Sequence, residues 1–345
     1  MLVSPKNIHN KKILIAPLDW GLGHAARCVP LIKQLQQQNN NIVIACNTQQ
    51  KTFLQQEIED VAFADLFGYN MRYAKVLPLW MKILFQFPKL FIVVRRENKW
   101  LKEYLEKNKT DIVISDNRFG FYNEKVESVF ITHQLNVQAP FFKKAINHIN
   151  ASFIKKYNIC WVPDYIEETK RLSGTLSYAS IIKNTMFIGA LSRFEKQQPQ
   201  PKQYDGLILL SGPEPQRTLL EEKLISVFAN TNYKIALVRG TQFARKNKLP
   251  DNFYATDVAS AKQLQGLFNV SDKIICRSGY STLMDLEALG MKALLIPTTG
   301  QSEQEYLAKY WQEKFGSTYL EQKNITAESI KNFMSLRGGT TKQSL

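Results

Sequence analysis

Short aliphatic runs, each closed by a small or polar loop and followed by a helix-period segment, recur along this chain. That alternation admits little besides parallel sheets covered by helices. KILIAP (12–17) reads as a buried strand and LDWGLGH as a turn. Ala25 to Gln37 then reads as a helix with Val29, Leu31, Ile32 and Leu35 on one side. IVIAC (42–46), DIVISD (111–116), VFITH (129–133) and ICWVPD (159–164) continue the series. A second series follows the polar, proline-bearing stretch EKQQPQPKQYDG (195–206): LILLS (207–211), KIALVRG (234–240), DKIICRSG (272–279) and ALLIP (293–297). Helices are expected from Ser281 to Leu289, stopping at Gly290, and from Glu303 to Phe315. The expected organisation is an α/β domain over 1–190, a linker over 191–206, a second α/β domain over 207–334 and a polar tail over 335–345. Two such halves imply a cleft between them.

Composition narrows the class further. Hydrophobic residues make up 44% and charged residues 22% of the 345, which excludes a disordered or collagen-like chain. The four cysteines are scattered, with no Cys-x-x-Cys pair, which argues against structural zinc and fits a reducing cytoplasm. The N-terminus MLVSPKNIHNKK is polar and shows no secretory leader. Lys plus Arg number 45 against 30 acidic residues, a net charge of +15 that favours phosphates, nucleic acid or anionic lipid. No nucleic-acid motif accompanies it, so no nucleic-acid partner is expected. Within 71–110, ten basic residues face only Glu97, Glu103 and Glu106. The segment 76–105 reads in two ways. Leu90, Val94, Leu101 and Leu105 have the spacing of a helix packed on a sheet, while 78–87 suits contact with an anionic membrane surface. Lys82, Lys89, Pro78 and Pro88 break its apolar run, so it should not span a bilayer.

Four loops at expected strand ends carry unusual chemistry, because helix N-termini there expose unpaired N–H groups. Gly21 and Gly23 allow close backbone approach, with His24 and Arg27 on the helix that follows; a tight turn needs the same glycines. Ser211 and Gly212 open a loop whose Pro215 suits the first helical position, either as an anion seat or as a well-capped helix start. Arg277, Ser278, Gly279, Ser281 and Thr282 bring a cation, small residues and hydroxyls to one helix start. Asp285 lies one turn deeper, where a carboxylate can grip ribose hydroxyls. Gln301, Gln304 and Glu305 place amides and a carboxylate around another helix start, where Ser302 and Glu305 also fit a capping box.

The run CRSGYSTLMDLEALGMKALLIPTTGQSEQEYLA (276–308) resembles the donor-binding signature of the glycosyltransferase family that includes MurG, the UDP-GlcNAc transferase of lipid II synthesis. KILIAPLDWGLGHAAR (12–27) and ITHQ (131–134) resemble that family's N-terminal loop and its His-Glu-Gln segment. The resemblance implies a GT-B fold, two Rossmann-like domains with parallel sheets facing a central cleft, and a UDP-sugar as co-substrate with no cofactor. It aligns Ser211, Gly212, Arg277, Ser278, Gly279, Ser281 and Thr282 with diphosphate-facing positions. Asp285 falls at a ribose-binding position, and Gln304 at a donor-sugar contact. Glu305 stands where the lipid II enzyme has Gln, and only Gly21, Gly23 and His24 remain of the N-terminal Gly-Gly-x-Gly-Gly-His pattern. The implied reaction is inverting and metal-independent, since no Asp-x-Asp motif offers carboxylates to a cation. His24 is the first choice of general base and Asp116 the second, with Arg27 on the acceptor side. His133 orients the acceptor or packs in the core. The acceptor is expected to be a lipid or glycan hydroxyl, met in the cytoplasm on the inner face of the plasma membrane. A UDP-GlcNAc 2-epimerase or a silent sugar-nucleotide binder is the alternative on the same fold.

Overall fold

A computed structural model describes residues 3–69, 79–139, 141–178, 181–241 and 248–336, with side chains of 79–90 left aside. The membrane contact expected of 78–87 rests on side chains that lie outside this description, and the tail from 337 lies outside the described residues. The chain forms two compact units, 1–193 and 194–345.

In the first unit, chain order runs β1 (Lys12–Pro17), α1 (Leu22–Gln37), β2 (Asn41–Cys46), α2 (Thr48–Gln55), β3 (Ala62–Asp65) and α3 (Leu79–Lys107). It continues with β4 (Ile112–Asp116), β5 (Glu127–Ile131), α4 (Lys143–Ile154), β6 (Ile159–Val162) and β7 (Thr185–Phe187). The strands form one sheet in the order β3-β2-β1-β4-β5-β6-β7, with every pairing parallel. Ile13, Leu14, Ile15 and Ala16 on β1 are buried, as a strand covered on both faces requires. Leu14, Val113, Leu101 and Phe121 meet in one core cluster, and Phe130, Val162, Ile154 and Tyr157 in another.

The second unit repeats the plan. Its order is β8 (Tyr204–Leu209), α5 (Gln216–Phe228), β9 (Ile235–Val238), β10 (Phe253–Thr256), α6 (Ala261–Val270) and β11 (Ser271–Cys276). Then follow α7 (Tyr280–Leu289), β12 (Leu294–Leu295), α8 (Ser302–Phe315), β13 (Thr318–Tyr319) and α9 (Ala327–Ser335). The sheet order is β10-β9-β8-β11-β12-β13, again parallel throughout. Ile208, Leu237, Ile275 and Phe228 anchor its core. α7 stops at Gly290 in a left-handed cap whose N–H reaches the Glu287 and Leu286 carbonyls.

The stretch read as a linker is not free. Phe194 is buried against Phe268, with ring centroids 5.5 Å apart, and Lys202 Nζ donates to the Asn269 and Ser271 carbonyls. β8 already starts at Tyr204, so the second unit begins near 194 rather than at 207. Polar composition concealed this, because apart from Phe194 the stretch is held by polar contacts of Glu195, Gln197, Lys202 and Gln203. Among the described residues, no helix is long and apolar enough to cross a membrane.

Candidate active site

Both sheets have one place where the strand order reverses, and the crevice beyond the strand ends there is where open α/β sheets bind ligands. In the first unit it lies between β1 and β4, whose register pairs Pro17 with Asp116. In the second it lies between β8 and β11, where Leu209 pairs with Cys276. The loops singled out in the sequence follow these strands.

At the first crevice, Gly21 takes φ +91° and starts α1 with no side-chain cap, a conformation that a side chain would strain. α1 therefore begins at Leu22, three residues earlier than expected. Gly23 and His24 fall in its first turn, and Arg27 one turn on. His24 Nδ1 lies 3.0 Å from Asp116 Oδ2. Arg27 Nε donates to the same oxygen at 3.0 Å while a terminal nitrogen of Arg27 bonds Oδ1. The two candidate bases are thus one unit, Asp116 orienting His24 rather than competing with it. With Nδ1–H donating to a carboxylate, Nε2 carries the lone pair, the arrangement of an activated base. His133, just beyond β5, is buried and close enough to disfavour a positive His24.

The charges follow from burial and pairing. Asp116 is fully buried, which would raise its pKa, but Arg27 and His24 outweigh burial and hold it at about 2. For His24, burial and then Arg27 lower the pKa below 6.5, overcoming the opposite pull of Asp116. Both shifts mean that the unfolded chain binds more protons than the folded one, so stability falls as pH falls. Denaturant titrations should show one loss below pH 6.5 from His24. A second, about 2 kcal/mol, is expected between pH 3.8 and 2 from Asp116. A His24→Gln chain should lack the first step; a wild-type stability flat from pH 7 to 5 would contradict the assignment.

Beneath this pair lies a buried ionic frame that sequence reasoning missed. Arg118 donates from Nε to the Pro17 carbonyl at 2.8 Å and from a terminal nitrogen to Glu97 Oε1 at 2.7 Å. Glu97 also accepts from Tyr69 Oη at 2.8 Å and from the Gly120 N–H at 3.1 Å. An arginine following a strand-end aspartate was the available signal, but its partner lies on the distant helix α3.

At the second crevice, α7 starts at Gly279 with no side-chain cap, and a Cβ placed there would meet nothing within 4 Å. Ser281 and Thr282 occupy the first turn, half-buried, and Asp285 follows on the same helix one turn later. Ser211 and Gly212 are exposed beyond β8, Gly212 at φ +105°. Helix N–H groups with open space before them are an anion seat.

Arg277, which the resemblance aligns with a diphosphate-facing position, has a dense set of backbone partners. Its guanidinium is buried and donates to the carbonyls of Ile296 (3.2 Å), Pro297 (3.0 Å) and Gln216 (2.8 Å). It staples three loops together and presents no head group to solvent; burial lowers its pKa to about 10, leaving it a cation. Gln304 likewise turns inward. Its Oε1 accepts from the Thr298 N–H at 2.9 Å and its Nε2 donates to Gln301 Oε1 at 2.6 Å, while Ser278 Oγ donates to its carbonyl at 2.7 Å. The Ser302–Glu305 capping box does not form, because α8 begins at Ser302 itself. Glu305 Oε1 instead accepts from the Gly300 N–H at 2.9 Å. Pro215 is the cap of α5 rather than its first residue. Thr298, which sequence reasoning passed over, buries its Oγ1 3.6 Å from the Cβ position of Gly212, with no hydrogen-bond partner among the described residues. Arg217, Glu221 and Arg239 form a buried chain of ion pairs (2.5 and 2.9 Å) that ties α5 to the end of β9, also unseen from sequence.

Residues 215–335 match the Glycosyltransferase family 28 C-terminal domain. Over 347 residues, covering 94% of this chain and 87% of the relative, the chain is 23% identical to a processive diacylglycerol beta-glucosyltransferase of Bacillus pumilus (strain SAFR-032). A shorter match, 34% over 65 residues, covers 19% of this chain and 18% of the UDP-N-acetylglucosamine--N-acetylmuramyl-(pentapeptide) pyrophosphoryl-undecaprenol N-acetylglucosamine transferase of Haemophilus influenzae (strain 86-028NP). Among solved structures, the glycotransferase of kitacinnamycin aligns with TM-score 0.67 at 12% identity, covering 96% of this chain and 91% of that one. Acinetobacter baumannii MurG aligns with TM-score 0.54 at 15% identity, covering 94% and 89%. These likenesses establish the GT-B fold. On that fold, residues 215–335 carry the family 28 glycosyltransferase domain, the part in which the chain is similar to MurG-like enzymes.

Proposed function

We propose that the chain moves a hexosyl group from a UDP-sugar to a hydroxyl of a lipid-linked acceptor, with inversion and without a metal ion. The observation that carries this reading is the His24–Asp116 pair at 3.0 Å, a base with its orienting carboxylate. His24 Nε2 takes the acceptor's hydroxyl proton as the oxygen attacks the anomeric carbon. The bond from that carbon to the diphosphate breaks on the opposite face, and Asp116 balances the imidazolium. The departing UDP carries its charge to the start of α7, whose N–H groups and dipole take the role a cation plays elsewhere.

The Bacillus relative's near full-length match supports a glucosyl donor and a glycerolipid acceptor; the Haemophilus match, confined to 65 residues, leaves an N-acetylglucosaminyl donor as the second choice. A net charge of +15 and four free thiols favour the cytoplasmic face of an anionic membrane.

Gly279→Ala isolates the donor seat. At φ −67°, ψ 139°, alanine is unstrained and its methyl meets no neighbour, so the unliganded melting temperature should change by less than about 2 °C. UDP or UDP-glucose at a hundredfold excess over Kd should stabilise the wild type by about 2.7 kcal/mol, with ADP as the control. The variant should lose most of that gain, because the methyl occupies the phosphate's place. Equal stabilisation of both chains, or of neither, would remove the donor seat. Transfer from UDP-glucose to diacylglycerol should then be faster in phosphatidylglycerol vesicles than in phosphatidylcholine vesicles. Equal rates would remove the membrane part.

A further inference from the structure

Arg27 was expected to face the acceptor, yet it is buried, with an exposure of 3%, and its guanidinium is committed to both oxygens of Asp116. A dyad of histidine and carboxylate does not need this third member. An acceptor-binding arginine, in turn, would be more exposed than the residue it serves; His24 retains 18% side-chain exposure and Arg27 only 3%.

We propose that Arg27 is a positioning residue for His24: by clamping Asp116 across both oxygens, it fixes one carboxylate lone pair on the imidazole Nδ1–H and cancels the carboxylate's charge, so that His24 waits as the neutral Nδ1–H tautomer. Two elements make the clamp. α1 carries His24 and Arg27 three residues apart on adjacent turns, and β4 delivers Asp116 from the neighbouring strand end. The geometry is a fork on a carboxylate, with Nε and a terminal nitrogen each taking one oxygen, which lysine cannot reproduce. Cys28 Sγ, 3.7 Å from Asp116 Oδ2, donates a further weak hydrogen bond to the same oxygen.

The electrostatics agree. An unopposed Asp116 would pull a proton onto His24 and leave it an imidazolium, useless as a base near neutrality. The charged and titratable groups around His24 are Asp116 on β4, Arg27 on its own helix and His133 beyond β5. Only Asp116 favours the protonated ring. Burial is the largest influence against protonation and Arg27 the largest charged one, so removal of Arg27 strengthens the pull of Asp116 on the ring.

This inference uses the reading of His24 as base only for its consequence, and the test does not need turnover. Side-chain NMR of the imidazoles, with His24→Gln to assign the signal, follows His24 against pH in the full chain. In the wild type, His24 should show one tautomer and titrate below 6.5. In Arg27→Met the midpoint should rise by about one pH unit or more. Arg27→Lys keeps the charge and loses the fork; its midpoint should stay within about 0.3 unit of wild type while the ring shifts report mixed tautomers. An unchanged midpoint in a folded Arg27→Met chain would overturn the proposal. If that variant fails to fold, a single wild-type-like tautomer in Arg27→Lys overturns it instead. Failure of transfer activity with these titrations intact would count against the proposed function and leave the clamp standing.

Discussion

His24→Gln is expected to cut transfer kcat/KM by about 10²–10⁴, the usual contribution of a positioned general base. The same substitution should leave UDP-induced stabilisation unchanged, because the proposed donor seat is the start of α7 in the other unit. The structure supports so large a rate effect with so local a cause. His24 is the residue whose Nδ1 reaches a fully buried carboxylate, and glutamine can keep a hydrogen bond to it without accepting a proton. Transfer retained within a few-fold of wild type would show that another group takes the proton. His133, the nearest remaining imidazole, would be the next residue to replace.

Asp116→Ala is the substitution with the largest expected cost to folding. It leaves Arg27 as a buried cation without its counter-ion and removes the partner of His24. Breaking a buried pair from one side costs about 3–5 kcal/mol. Asp116→Asn keeps the shape and a carbonyl oxygen but not the charge. It should unfold at higher urea than Asp116→Ala, yet show activity near that of His24→Gln, because an amide no longer balances an imidazolium. Urea titrations of the two variants against wild type measure this directly. A loss below about 1 kcal/mol in Asp116→Ala would mean that water or a neighbour replaces the carboxylate.

The core strands were legible because parallel strands buried on both faces read as unbroken aliphatic runs; KILIAP coincides with β1 residue for residue. β3, β7, β10 and β13 were harder, since these strands of two to four residues are only partly buried and carry no aliphatic run to detect. Strand order was beyond reach altogether. Nothing in DIVISD says that it will lie beside KILIAP, so Asp116 and His24 read as rivals for one role although their side chains are hydrogen-bonded to each other. The donor loops were visible as composition, but composition cannot say which way a side chain turns. Arg277 and Gln304 look like ligand-facing groups in a string of letters. Their carbonyl and amide partners, at 216 and 296–301, exist only once α5, β11, β12 and α8 are assembled.

The three carbonyls held by Arg277 have a bearing on how such an enzyme changes its diet. A single cation welds the start of α5, the end of β11 and the turn before α8 into one plate, so under the proposed function a diphosphate would meet a surface formed before it arrives. Thr299 and Gln301 belong to the rim of that plate, outside the weld. Under the proposed function, exchanges there would redirect the choice of sugar while the grip on the nucleotide persists.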